Sequence, residues 1–89
     1  MEISIIGTGY VGIVSGACFA KFGNNIIFVD IDKEKIEKIN SGITPIYEND
    51  LEDLLLKYKD NIKATDNYEL AINSTDITFI CVGTPSRKD

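Results

Sequence analysis

Apolar residues in this chain recur in two rhythms. Short blocks rich in β-branched side chains stand at Ile3-Ser4-Ile5-Ile6, Ile26-Ile27-Phe28-Val29, Ile62-Lys63-Ala64-Thr65 and Ile77-Thr78-Phe79-Ile80-Cys81-Val82. Blocks of this length and composition predict buried strands. The stretches between them carry helical spacing. Val11 to Phe22 is rich in small residues (Ser15, Gly16, Ala17, Cys18, Ala20), as suits a helix lying tight against a sheet. Asp32 is placed to cap a helix ending near Asn40, with Gly42 just beyond it and Ile36 and Ile39 on one face. Pro45 excludes regular helix across 43–48. Asn49 and Glu52 then have capping-box spacing, and Leu51, Leu54, Leu55 and Tyr58 fall on one face. Asp66 and Glu69 have the spacing of a cap pair for a short helix ending near Asn73.

Strands that alternate with helices predict a parallel sheet. Right-handed crossovers put the first strand in the middle, in the order 3-2-1-4. The fold class is therefore α/β, a partial Rossmann-type sheet with flanking helices. Ligands of such sheets bind at the carboxyl ends of the strands. Gly7 to Gly12, Asp30 and Gly83-Thr84 all fall on that edge.

Chemistry enters at Gly7-Thr8-Gly9-Tyr10-Val11-Gly12, a G-x-G-x-x-G between the first strand and the first helix. In this pattern the first glycine turns the chain off the strand, and the second leaves the backbone open to a pyrophosphate. The third allows close helix packing, and the helix N-terminus offers N–H groups and a positive dipole end. The dipole contributes only about 0.3–1 kcal/mol at an exposed site, so hydrogen bonds from the loop must supply much of the affinity. Asp30 follows 23 residues after Gly7 and 18 after Gly12, where a ribose-binding acid belongs. Such a carboxylate accepts hydroxyl hydrogen bonds and repels a 2′-phosphate. At an effective dielectric near 20, unit charges ~4 Å apart repel by about 4 kcal/mol, which favours NAD over NADP. A glycine-rich turn that binds nothing stays open as the alternative.

Composition narrows the field further. The chain has 89 residues, enough for one small domain, with 44% hydrophobic and 26% charged residues. Its net charge of −5 argues against nucleic acid or an anionic membrane as partner. There is no histidine, and Cys18 and Cys81 have no metal-site or C-x-x-C spacing, so no metal site is expected and both read as reduced core thiols. No signal peptide or membrane span is visible, which predicts a cytoplasmic location. The polar 86–89 tail is expected to be loose.

Taken together, Gly7-Thr8-Gly9-Tyr10-Val11-Gly12, Val14-Ser15-Gly16-Ala17-Cys18-Phe19-Ala20, Val29-Asp30-Ile31-Asp32, Lys35-Ile36, Asn40-Ser41-Gly42, Pro45-Ile46-Tyr47-Glu48 and Val82-Gly83-Thr84-Pro85 resemble the N-terminal region of the UDP-glucose/GDP-mannose dehydrogenase family. The resemblance implies NAD-dependent oxidation of a nucleotide sugar's C6 alcohol to a carboxylate by two hydride transfers. UDP-glucose matches best, while GDP-mannose and N-acetylated UDP-sugars stay open. It further implies that Gly7, Gly9, Tyr10, Val11 and Gly12 hold the pyrophosphate and that Asp30 takes the adenosine ribose hydroxyls. By the same resemblance Lys35 reaches that end of the cofactor, while Val82, Gly83 and Thr84 line the path to the nicotinamide ribose. Lys35 also reads as an ordinary exposed helix lysine, and Tyr47 as an aromatic anchor for its loop. Where the family usually continues Tyr-Glu with Pro-Gly-Leu, this chain has Asn49-Asp50-Leu51.

Family members are several times longer, and their nucleophilic cysteine, its lysine and asparagine partners and their sugar domain lie further along. Neither Cys18 nor Cys81 matches that cysteine's motif, so no catalytic residue is assigned. Residues 1–89 are therefore expected to be a truncated NAD-binding domain without a second domain, inactive alone. A non-catalytic sensor of NAD(H) or another adenine nucleotide is the alternative, and a purely structural module is a third. The last strand would form an apolar edge, which predicts self-association, or homo-oligomerisation in the full enzyme.

Overall fold

A computed structural model describes residues 1–44 and 49–81. The expectations placed on 45–48 and on 82–89, including Val82, Gly83 and Thr84, lie outside the described residues. The elements run β1 (Glu2–Ile6), α1 (Tyr10–Lys21), β2 (Asn25–Val29), α2 (Lys33–Asn40), α3 (Asn49–Lys57), β3 (Ile62–Thr65), α4 (Tyr68–Asn73) and β4 (Ile77–Ile80), with a single 3-10 turn at Lys59–Asn61 ahead of β3. All pairings are parallel and the sheet order is β3-β2-β1-β4, as the crossover rule predicts.

Alternation along the strands divides the sheet into two faces. Ile3, Ile5, Ile26, Phe28, Ile62 and Ala64 point to one of them. There they meet Ile13, Ala17 and Ala20 of α1, Ile39 of α2, and Leu51 and Leu55 of α3 in one buried cluster. The other face carries α4, whose Ala71 is fully buried. A short polar chain fills the space beneath it. Ser4 and Thr78 share a 2.6 Å hydroxyl contact, and the Thr75 hydroxyl lies 3.0 Å from Ser4 Oγ and 2.8 Å from the Ala71 carbonyl. The buried Ser4 hydroxyl is thereby satisfied.

Helix ends follow local chemistry. The Asp32 side chain accepts from the N–H groups of Glu34 and Lys35, and Gly42, with φ +79°, ends the α2 segment as predicted. At α4 the expectation needs correcting. The cap is Asn67, whose side chain accepts from the Leu70 N–H at 3.0 Å, and not Asp66. The Thr65 hydroxyl accepts from the Asn67 N–H at 3.1 Å, which sets the turn one residue later. Cys18 also departs from expectation, since it is exposed and not a core thiol.

The small residues of α1 have a measurable reason at Gly16. A Cβ there would lie 2.2 Å from Phe28 Cζ and 3.1 Å from Ile5 Cδ1. Phe28 is fully buried and its ring has no room to withdraw. Overpacking of this kind costs about 1–3 kcal/mol, against about 1 kcal/mol gained in helix propensity. Gly16→Ala is therefore expected to lower unfolding stability by up to about 2 kcal/mol in urea titrations, and Gly16→Val by more. A Gly16→Ala variant more stable than the parent would show that α1 does not sit this close.

Candidate functional site

The carboxyl ends of β1 and β2 meet at the glycine loop. Gly7 leaves β1 with φ +106°, a conformation side chains rarely adopt, and its N–H donates to the Val29 carbonyl at 2.8 Å. The turn off β1 is thus tied to β2 from its first residue. Gly9 occupies the N-cap of α1, with its carbonyl accepting from the Ile13 N–H at 3.0 Å. No side chain caps this helix, and its first turn holds no acidic residue. Among the described residues a Cβ on Gly9 would meet nothing within 4 Å, so they leave the space beside it open.

Gly12 lies where the start of α1 comes closest to the carboxyl end of the sheet. A Cβ there would lie 2.2 Å from the Gly7 carbonyl oxygen and 3.4 Å from Cys81 Cβ. Its glycine identity lets α1 lie close to the backbone leaving β1 and to Cys81 just past β4. Cys81 donates its N–H to the Ile6 carbonyl at 2.8 Å, which holds it beneath the loop. Tyr10 and Val11 are exposed on the first turn, beside the open space.

Asp30 lies just past β2 and reaches back to the loop. Its Oδ2 accepts from the Thr8 N–H at 3.1 Å and from the Thr8 hydroxyl, and its Oδ1 accepts from the Asp32 N–H at 2.9 Å. Burial pushes this carboxyl up. The Thr8 hydroxyl, the two N–H donors and the charge of Lys35 outweigh it and hold the group below the usual aspartate value. The structure therefore brings Asp30, Lys35 and the glycine loop together. Thr8, which is 1% exposed, was not singled out in the sequence. Its x position in G-x-G-x-x-G carries no signal in the motif, and a hydroxyl directly ahead of Gly9 was the only clue.

This arrangement suits a dinucleotide. It has an open, uncapped helix end for a pyrophosphate, glycine where a side chain would intrude, and an ionised carboxylate one strand away. Among the described residues, protein donors take three of the roughly four acceptor positions of the carboxylate, so about one position, on Oδ1, is left for a hydroxyl such as that of a ribose. Among the described residues no group of histidine, cysteine and acidic side chains could hold a metal ion. Among them, too, no helix is long and apolar enough to cross a membrane.

Residues 1–89 match the family model described as UDP-glucose/GDP-mannose dehydrogenase family, NAD binding domain. The chain belongs to this family. It is 46% identical to the UDP-glucose 6-dehydrogenase TuaD of Bacillus subtilis (strain 168), over 98% of this chain and 19% of that protein. It is 45% identical to the GDP-mannose 6-dehydrogenase of Pseudomonas savastanoi pv. phaseolicola, over 100% of this chain and 21% of that protein. Among solved structures it is similar to a ternary complex of GDP-mannose dehydrogenase from Pseudomonas aeruginosa, with a TM-score of 0.94 and 43% identity over 99% of this chain and 21% of that one. The chain thus spans about a fifth of the length of these relatives. NAD is the cofactor of the family domain, and the open loop and ionised Asp30 fit it.

The lowered pKa of Asp30 has a consequence for stability. A carboxyl that ionises more readily folded than unfolded contributes stability above its ordinary value of 3.8, and that contribution is lost as pH falls through the folded value. The difference in unfolding free energy between the parent and Asp30→Asn should be constant above about pH 5 and shrink below about pH 4. Denaturant titrations across this window test it. A difference that does not vary with pH would show that the Thr8 and Asp32 donors do not favour the charged form.

Proposed function

We propose that this chain is the cofactor-binding part of an NAD-dependent dehydrogenase that oxidises the C6 alcohol of a nucleotide sugar, UDP-glucose, to a carboxylate. The observation that carries the reading is Asp30. Its carboxylate is ionised and anchored to the glycine loop, at the position a ribose reader needs. Gly7, Gly9, Tyr10, Val11 and Gly12 hold the pyrophosphate, and Lys35 stands at the adenosine end. The family resemblance assigns Val82, Gly83 and Thr84 to the nicotinamide end. Preference for UDP-glucose rests on the family resemblance of Val14-Ser15-Gly16-Ala17-Cys18-Phe19-Ala20 and Pro45-Ile46-Tyr47-Glu48, with GDP-mannose and N-acetylated UDP-sugars as the alternatives.

The chain alone binds and does not turn over. Among the described residues neither cysteine stands with a base or an oxyanion partner, and a thioester route needs a thiolate beside the substrate carbon. Calorimetry with NAD, NADP and ADP-ribose should give binding of NAD and ADP-ribose and much weaker binding of NADP. Asp30→Ala should weaken NAD about tenfold or more, the scale of a hydrogen bond to a charged group, and narrow its advantage over NADP. No binding by any of the three ligands would sink the reading, and tight NADP binding would remove the role given to Asp30.

We also propose a partner at one edge of the sheet. The outer edge of β3 is blunted, because the Asn40 side chain donates to the Ala64 carbonyl at 3.0 Å and accepts from the Ala64 N–H at 2.8 Å. No such bracket is seen at β4 among the described residues, and Ile77, Phe79 and Ile80 are exposed there at 40%, 39% and 71%. A second copy of the chain covers this edge. Sedimentation should show concentration-dependent association, weakened by Ile80→Lys. A clean monomer at high concentration would overturn it.

A further inference from the structure

We infer that Thr8 is the residue that positions Asp30 for the ribose, by filling one carboxylate oxygen and leaving the other to read the sugar hydroxyl. The inference rests on the reading of Asp30 as the ribose acceptor and adds a residue that the glycine motif does not specify. Both Thr8 donors, the N–H at 3.1 Å and the hydroxyl, go to Oδ2. Two donors from one residue fix the carboxylate plane and rotamer. Oδ1 keeps one contact, from the Asp32 N–H, and one open acceptor position. Thr8 is buried, so its hydroxyl is shielded from solvent and committed to this bond.

The surroundings leave Thr8 as the side chain that acts on Oδ2. On α2, Lys35 adds positive charge, and the carboxylate of Asp32 is spent on the N–H groups of Glu34 and Lys35. The first turn of α1 carries no acid. From β3 the contact is backbone, the Asp30 N–H donating to the Thr65 carbonyl at 3.2 Å. Thr8 also belongs to the loop that faces the pyrophosphate. The two ends of the cofactor site therefore share one hydrogen-bonded pair, and a shift of the loop moves the ribose acceptor with it.

Thr8→Val keeps the shape and the N–H but removes the hydroxyl donor, and Thr8→Ser keeps the donor. Calorimetry from about pH 2.5 to 8 on the parent and both variants, with circular dichroism to verify folding at each pH, tests the role. Thr8→Val should weaken NAD about two- to tenfold at neutral pH, the scale of one net hydrogen bond, with NADP nearly unchanged. The pH below which NAD binding is lost should move upward, because the carboxyl is easier to protonate without the hydroxyl. Thr8→Ser should restore both. Superposed NAD profiles for Thr8→Val and the parent, with Asp30→Ala still impaired, would overturn the role of Thr8 and leave the functional reading intact. An unchanged pH midpoint in a folded but weaker Thr8→Val would do the same, reducing Thr8 to packing. A parent chain that does not bind NAD would take down both.

Discussion

The close approach of α1 to the sheet is the constraint from which both the core and the loop follow. It is set at two glycines one turn apart on the same helix. Gly16 makes room for the Phe28 ring and the end of Ile5, and Gly12 makes room for the carbonyl of Gly7. A side chain at either would lift the helix from the strands beneath it. At Gly16 the cost falls on packing, since Phe28 and Ile5 are the largest fully buried side chains of β2 and β1. At Gly12 it falls on the loop, whose backbone has no flexible end to withdraw. The hydrophobic core and the anion-facing loop are in this sense one piece of geometry.

The electrostatics of the site are local. The chain carries −5 overall, yet the N-terminal end of α1 has no acid in its first turn and, among the described residues, no side-chain cap. Dipole and hydrogen-bond effects act within a turn, whereas dispersed surface charge is screened over about 8–10 Å at ordinary salt. A negative protein can therefore hold a negative pyrophosphate. Asp30 shows the complementary balance. Burial opposes its charge, and fixed donors from Thr8 and Asp32 restore it. A preorganised anion of this kind accepts a neutral hydroxyl and disfavours a phosphate.

Much of this was legible in the pattern of residues. The four strands, their parallel order and the cap at Asp32 follow from spacing and crossover rules that tertiary context did not override. Gly7, Gly9, Gly12 and Asp30 were found because their spacing reflects backbone geometry. What escaped depended on side-chain directions that spacing does not encode. Thr8 occupies a motif position that any residue satisfies, and its value arises only when β2 brings Asp30 beside it. Asp66 and Asn67 are equally good caps by composition, and the Thr65 hydroxyl decided between them. Cys18 sits among small buried residues of α1 but on the turn that faces outward.

The sheet's two edges complete the physical picture, because they are handled oppositely. β3 ends the sheet with a polar bracket from Asn40, which occupies both the N–H and the carbonyl of Ala64 as a neighbouring strand would. β4 ends it with Phe79 stacked on Phe19 at 5.4 Å and with Ile80 almost bare. An edge meant to face water is blunted with polar or charged groups, and one that carries aromatic and branched side chains is not. The register of β4 against β1 also delivers Cys81 beneath Gly12, so the position of this last strand bears directly on the loop. What packs on β4 therefore bears on the floor of the glycine loop as well as on the apolar edge.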